Sequence, residues 1–175
     1  MWFAVEEKGV RWFRSSDGNW DTIGLSGPKD AFVDMAAEAI PGLLLLADRE
    51  YDVLDNEKSR SGGLYVYNYH QSRLDQFQIY QGLPSNDVTA VAADGRIAWV
   101  GGRGFLAVVD IQERKVLRIA YISASTIRGI QLNPAHVWIA VSCGSGDSYP
   151  DFSGKAQTGV YRLDRSAIEP AGNRK

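Results

Sequence analysis

An all-β fold made of repeated antiparallel units is predicted, on three observations. Short apolar runs rich in β-branched and aromatic residues are bounded by DG, NP, PG and GG, which is how strands joined by turns are punctuated. A large apolar residue recurs at one place in four successive units, as Trp2, Leu45, Trp99 and Trp138. A glycine (Gly9, Gly63, Gly104 or Gly159) then opens the next strand each time. With insertions set aside, the unit is about 40 residues long, and such a unit read as four strands is one blade of a β-propeller. The expected architecture is a β-propeller or partial propeller of about four four-stranded antiparallel blades in a single domain spanning residues 1–175.

The units fall near residues 1–25, 30–80, 82–122 and 125–170. The first, MWFAVEEKGVRWFRSSDGNWDTI, begins at its second strand with no inner strand before it. The second opens on AFVDMAAEA (31–39); its Ala and Glu content also fits a short helix, but its place in the repeat demands an inner strand. GLLLLADRE, an insertion over 48–62 and GGLYVYNYHQSRLDQFQIY complete that unit. The third runs DVTAVAADG, RIAWVGGRGFLAVVD and a last strand ending at AYI. The fourth has TIRGIQLNP, HVWIAVSCG, an insertion over 142–158 and TGVYRLD, leaving SAIEPAGNRK for a frayed final strand. The terminal pieces do not add up to one shared four-stranded blade. Three closures remain: a fragment of a larger propeller, a four-bladed ring with a defective first blade, or half of an assembly completed by a second copy. Unpaired edges and a truncated core favour self-association, a homodimer being the simplest form.

The third unit has the most specific wording, GLPSNDVTAVAADGRIAWVGGRGFLAVVD over 82–110. It resembles the two-component-regulator propeller repeat through Gly82, Leu83, Pro84, Ser85, Asn86, Val88, Asp94, Gly95, Trp99, Gly101, Gly104 and Asp110. The other three units share the strand pattern and lack GLPSN. The resemblance implies a sensory, ligand-binding propeller of the kind found in membrane-bound hybrid histidine kinases, and with it an extracytoplasmic position. Kinase, receiver and membrane-spanning portions are not seen in these 175 residues.

Composition narrows the classes further. With 45% hydrophobic, 23% charged and 11% aromatic residues, the chain reads as a packed globular protein. A net charge of −2 offers no footprint for nucleic acid. The longest apolar stretch, Ala39 to Ala47, is interrupted by Pro41 and Gly42 and is far short of the roughly 18–20 residues that cross a bilayer, so no membrane insertion is expected. The single cysteine, Cys143, excludes an intrachain disulfide and a Cys-rich zinc site. The start, MWFAVEEKGV, is acidic where an export signal is cationic, which leans towards the cytoplasm against the resemblance and leaves the compartment open.

The recurring Trp residues are expected to pack between neighbouring blades. The glycines are expected at tight turns or close backbone approaches, and Gly101-Gly102-Arg103-Gly104 runs into a strand and not into the helix of a phosphate cradle. In GLPSN, Pro84 fixes φ while Ser85 and Asn86 cap the turn. Alternating strand direction puts both insertions and the GLPSN connection on one face, and long loops on a rigid scaffold are where binding resides. The candidate ligand-binding residues are Arg49, Glu50, Tyr51, Asp52 and Asp55 in the first insertion, and Asp147, Tyr149, Asp151 and Phe152 in the second. Aromatic rings beside carboxylates suit a small molecule such as a saccharide, or a protein. Asp48, Glu50 and Asp52 alternate as calcium ligands do, yet Val53 stands where such a loop wants glycine, so no metal is assigned. His70 and His136 are expected in turns on the opposite face, and seven extended residues, about 23 Å, keep His136 from Cys143. No catalytic residue and no cofactor are assigned. A structural or oligomerisation protein is the alternative, with a propeller lyase or glycosidase behind it.

Overall fold

The computed structural model describes residues 2–5, 9–23, 32–37, 40–49, 62–71, 73–77, 81–142 and 158–168. These are almost wholly antiparallel strands. The first sheet is a meander of β1 (Trp2–Val5), β2 (Gly9–Arg14) and β3 (Asn19–Ile23), with Trp2 opposite Trp12 and Phe13 opposite Trp20. The second is a four-stranded meander of β4 (Phe32–Ala37), β5 (Leu43–Asp48), β6 (Gly63–Asn68) and β7 (Arg73–Phe77). Residues 32–37 are thus a strand, paired through Met35 opposite Leu46, and the helical alternative falls.

The remaining strands form one series in the order β12, β11, β10, β9, β8. They are β8 (Val88–Asp94), β9 (Ile97–Asp110), β10 (Lys115–Leu132), β11 (His136–Ser142) and β12 (Gly159–Asp164). Fourteen extended residues would span about 46 Å. Yet the Ile111 amide donates to the Arg96 carbonyl at 2.9 Å, and Arg96 Nε lies 3.3 Å from Asp110 Oδ2. β9 is therefore folded back on itself, at Gly101-Gly102-Arg103-Gly104, where Gly104 has φ +79°. A Cβ at Gly102 would sit 2.3 Å from both the Asp87 carbonyl and the Phe105 ring, so close approach explains that glycine. The first part of β9 pairs with β8 and the second with β10. β10 then continues through a register shift to pair with β11, joining the strands expected in the third and fourth units.

Turns at the far end from the insertions share one device. Asn68 Oδ1 accepts from the amides of His70 and Gln71, Asp110 Oδ1 from Gln112 and Glu113, and Asn133 Oδ1 from Ala135 and His136, at 2.7–3.1 Å. A short polar side chain satisfying two turn amides is what selects Asn and Asp at these positions. At the other end Ser85 Oγ accepts from the Asp87 amide at 3.0 Å, the turn-capping role expected of it.

Two apolar layers hold the sheets together. In one, Leu45, Ala47 and Leu64 of the second sheet meet Val88, Val91, Ala98, Val100, Phe105, Ala107 and Val109. In the other, Ala90, Ile97, Trp99, Leu106 and Val108 meet Ile127, Val137, Ile139 and Val141. The β8–β9 segment is therefore buried on both faces, which is why IAWVGG and FLAVVD read as near-continuous apolar runs. Near the inner edge β1 lies beside β4, β4 beside β8, and β8 beside β10. The series is not closed among the described residues.

Two expectations need correction. Arg165–Ile168 is one helical turn (α1) and not the start of a frayed strand: the Arg165 amide bonds to the Ala135 carbonyl, and its guanidinium reaches Asp94 at 2.9 Å. Trp99 is fully buried as expected, but Trp138 is 39% exposed, because among the described residues no sheet covers its side of β11. The side chain of Trp2 lies outside the described set.

Candidate functional site

The ends of the strands that carry the two insertions come together. Asp48 and Gly63, which bracket the first insertion, are paired across β5 and β6, and Val141 and Gly159 bracket the second across β11 and β12. Between them stand the turn of β9 and the start of β8, since Gly102 is opposite Val88, Arg103 opposite Thr126, and Thr126 opposite Ser142. Both insertions and the GLPSN connection therefore leave the same end of the sheets.

One polar cluster sits in the middle of this end. The Asp87 carboxylate, 13% exposed, receives Arg49 Nε on Oδ1 at 3.5 Å and Arg103 Nε on Oδ2 at 3.6 Å. Arg49 directly follows β5, so the cluster ties the second sheet to β8 and β9. Each residue is placed by the backbone: Asp87 by the Ser85 cap, Arg103 by the glycine-lined reversal, Arg49 by the end of a strand buried from Leu44 to Asp48. At these distances the contacts are ion pairs and not short bidentate bonds. The Asp48 carboxylate, 1% exposed, directly precedes Arg49 at the end of β5. Arg128, exposed on β10, donates through Nε to Ser142 Oγ at 2.7 Å beside the second insertion. Below, Thr89 Oγ1 donates to the Ile127 carbonyl and anchors β8 to β10.

Of the nine expected site residues, Arg49 is placed here. Glu50, Tyr51, Asp52, Asp55, Asp147, Tyr149, Asp151 and Phe152 lie outside the described residues. Asp87 and Arg103 were not singled out in the sequence, although each carried a signal. Asp87 is the first charge after GLPSN, and Arg103 is the lone charge in the Gly101–Gly104 turn.

The opposite end carries a second Arg–Asp–Arg cluster, in which Asp75 is held by Arg73 at 3.0 Å and by Arg114, beside a cavity of about 200 Å³ lined also by Leu43, Val66 and Ile111. His70 lies in the β6–β7 turn against Tyr69, with ring centroids 4.6 Å apart. His136 opens β11 with Nε2 3.3 Å from Asp164. Both histidines stand at the end away from the insertions, as expected. Among the described residues no three His, Cys, Asp or Glu side chains are grouped as metal ligands.

No family model matches the sequence, and no curated protein does. Solved structures do. The extracellular domain of a putative hybrid two-component system from B. thetaiotaomicron is similar at TM-score 0.60 and 15% identity, over 80% of this chain and 18% of that one. Hydrazine synthase of Kuenenia stuttgartiensis is similar at TM-score 0.54 and 14% identity, over 83% and 36%. U3-55K is similar at TM-score 0.57 and 11% identity, over 79% and 41%. At such identities the likeness shows a shared all-β fold. The chain spans well under half the length of each of these structures.

Proposed function

We propose that this chain is a section of a β-propeller acting as a non-catalytic recognition module, of the kind that forms the sensing part of a two-component system. It takes an acidic saccharide at the end that carries the insertions. The observation carrying this reading is the Arg49–Asp87–Arg103 cluster, which sets two guanidiniums between the anchors of two long insertions. A sugar carboxylate finds guanidinium donors there, and the insertions bring Tyr51, Tyr149 and Phe152, residue types whose flat rings suit the apolar face of a pyranose. The repeated meanders, the GLPSN wording and the fold shared with an extracellular two-component domain support the sensory role.

Isothermal titration calorimetry with an oligogalacturonate and a neutral oligosaccharide of equal length tests this. The wild-type chain is expected to bind the oligogalacturonate in preference, and Arg103→Ala to weaken binding by about tenfold or more, the loss of one charge-assisted contact. Arg73→Ala, at the far end, leaves affinity unchanged. Equal binding of both sugars, or equal loss with Arg73→Ala, would remove the site from this face.

A further inference from the structure

Among the described residues, the last sheet has one covered and one uncovered face. Along β11, Val137, Ile139 and Val141 point into the layer shared with Trp99, while Trp138 and Ala140 alternate with them and lie on the other side. Cross-strand pairing extends that side into two rows, Gly129–Ala140–Val160 and Gln131–Trp138–Arg162. The small residues of the first row leave a groove of about 610 Å³ beside the indole of Trp138. Val160 is 68% exposed at its rim.

The preceding unit shows what such a face is built to hold. Trp99 stands at the repeat position of Trp138 and likewise lies on the side of its sheet facing the next one. It is fully buried because Ile127, Ile139 and Val141 of that next sheet pack on it. Leu45, at the same position one unit earlier, is fully buried against β8 and β9 in the same way. In this fold the residue at that repeat position is covered by the face of another antiparallel sheet. Within this chain the second sheet and β8–β9 already have a sheet on the side in question. The first sheet has none ahead of it among the described residues, and it presents Trp20, 53% exposed, tilted against Phe13 at 5.1 Å between ring centroids.

We propose that the Trp138–Ala140–Val160 face receives the Phe13–Trp20 sheet of a second copy of this chain, tail to head. Each copy carries one tail and one head, and in a pair that meets tail to head at both junctions the two contacts are equivalent and close a ring. The internal sheet-to-sheet layers are continued across the junction, and both end faces of the series are covered.

Light scattering behind size exclusion, from micromolar concentrations upward, reads this directly. The wild-type chain is expected at twice 19.3 kDa and Trp138→Arg at 19.3 kDa. Val160→Arg, on an exposed rim position that does not threaten folding, is also expected at 19.3 kDa, with far-UV circular dichroism unchanged. Trp20→Arg is expected to be monomeric as well. Mixing Trp20→Arg with Trp138→Arg restores one intact tail and one intact head, so a weaker heterodimer reappears. A dimer that survives Trp20→Arg but not Trp138→Arg would mean tail-to-tail pairing and overturn the proposal. A wild-type monomer at every concentration, or a dimer indifferent to both Trp138→Arg and Val160→Arg, would overturn it equally.

Discussion

Trp99 concentrates the energetics of the third unit in one side chain. It is fully buried, and its indole Nε1 has no hydrogen-bond acceptor among the described residues. An aromatic of this size removes about 150–250 Å² from water. An unsatisfied buried N–H gives back about 1–3 kcal/mol of that gain. The two terms separate by substitution. Trp99→Ala is expected to cost about 3–5 kcal/mol in urea unfolding, through lost burial and a cavity between β9 and β11. Trp99→Phe keeps most of the apolar contact and deletes the unpaired donor, so its cost should be less than about half of that. Equal costs for the two would mean that the indole N–H is satisfied. Trp138, the same residue type at the same repeat position, illustrates where reading a repeat stops. The pattern fixes which side of the strand a residue takes, and the neighbour that covers it fixes whether it is buried.

At the scale of strands and turns, Asp110 does the work of three contacts from one buried carboxylate, 1% exposed, at the end of β9. Its Oδ1 closes the turn to β10 through the Gln112 and Glu113 amides, and its Oδ2 faces Arg96. Arg96 is half exposed, so the ion pair contributes little beside the turn bonds. Asp110→Asn retains a carbonyl oxygen for the two amides and should cost about 1 kcal/mol, whereas Asp110→Ala strands both and should cost about 2–3 kcal/mol. Thermal or urea unfolding of the pair checks the ordering; equal losses would assign the stability to the ion pair instead. The strands were largely legible because alternation, turn residues and repeat position all agreed, as in β4, where repeat position outweighed Ala and Glu content. The joining of β9 and β10 into long bent strands was not, because backbone pairing across a turn or between units leaves no mark on side-chain pattern. The site was legible as a face and less so as residues. Arg49 was found by its place in an insertion, while Asp87 and Arg103 came together only through pairing of Gly102 with Val88.

For the whole molecule, stacked sheets with each contacting only its neighbours have a stability that depends on what covers the two ends. The inner layers are complete: Leu45 and Trp99 are both fully buried between successive sheets. The ends hold the exposed aromatics Trp20 and Trp138, on sheets that are first and last in the series. If those ends cover each other in a pair of chains, folding and association are one equilibrium, and the thermal midpoint must depend on concentration. Unfolding entropy of about 2.1 cal/mol/K per residue gives a pair of these chains roughly 0.7 kcal/mol/K. A tenfold change in concentration is worth about 1.4 kcal/mol. The midpoint of the wild-type chain should therefore rise by about 2 °C for each tenfold increase in concentration, and that of Val160→Arg should not move. Scanning calorimetry at three concentrations distinguishes the cases. A flat wild-type midpoint would mean that each chain is stable with its ends bare, whereas a slope shared by both proteins would locate the association away from the Trp138 face.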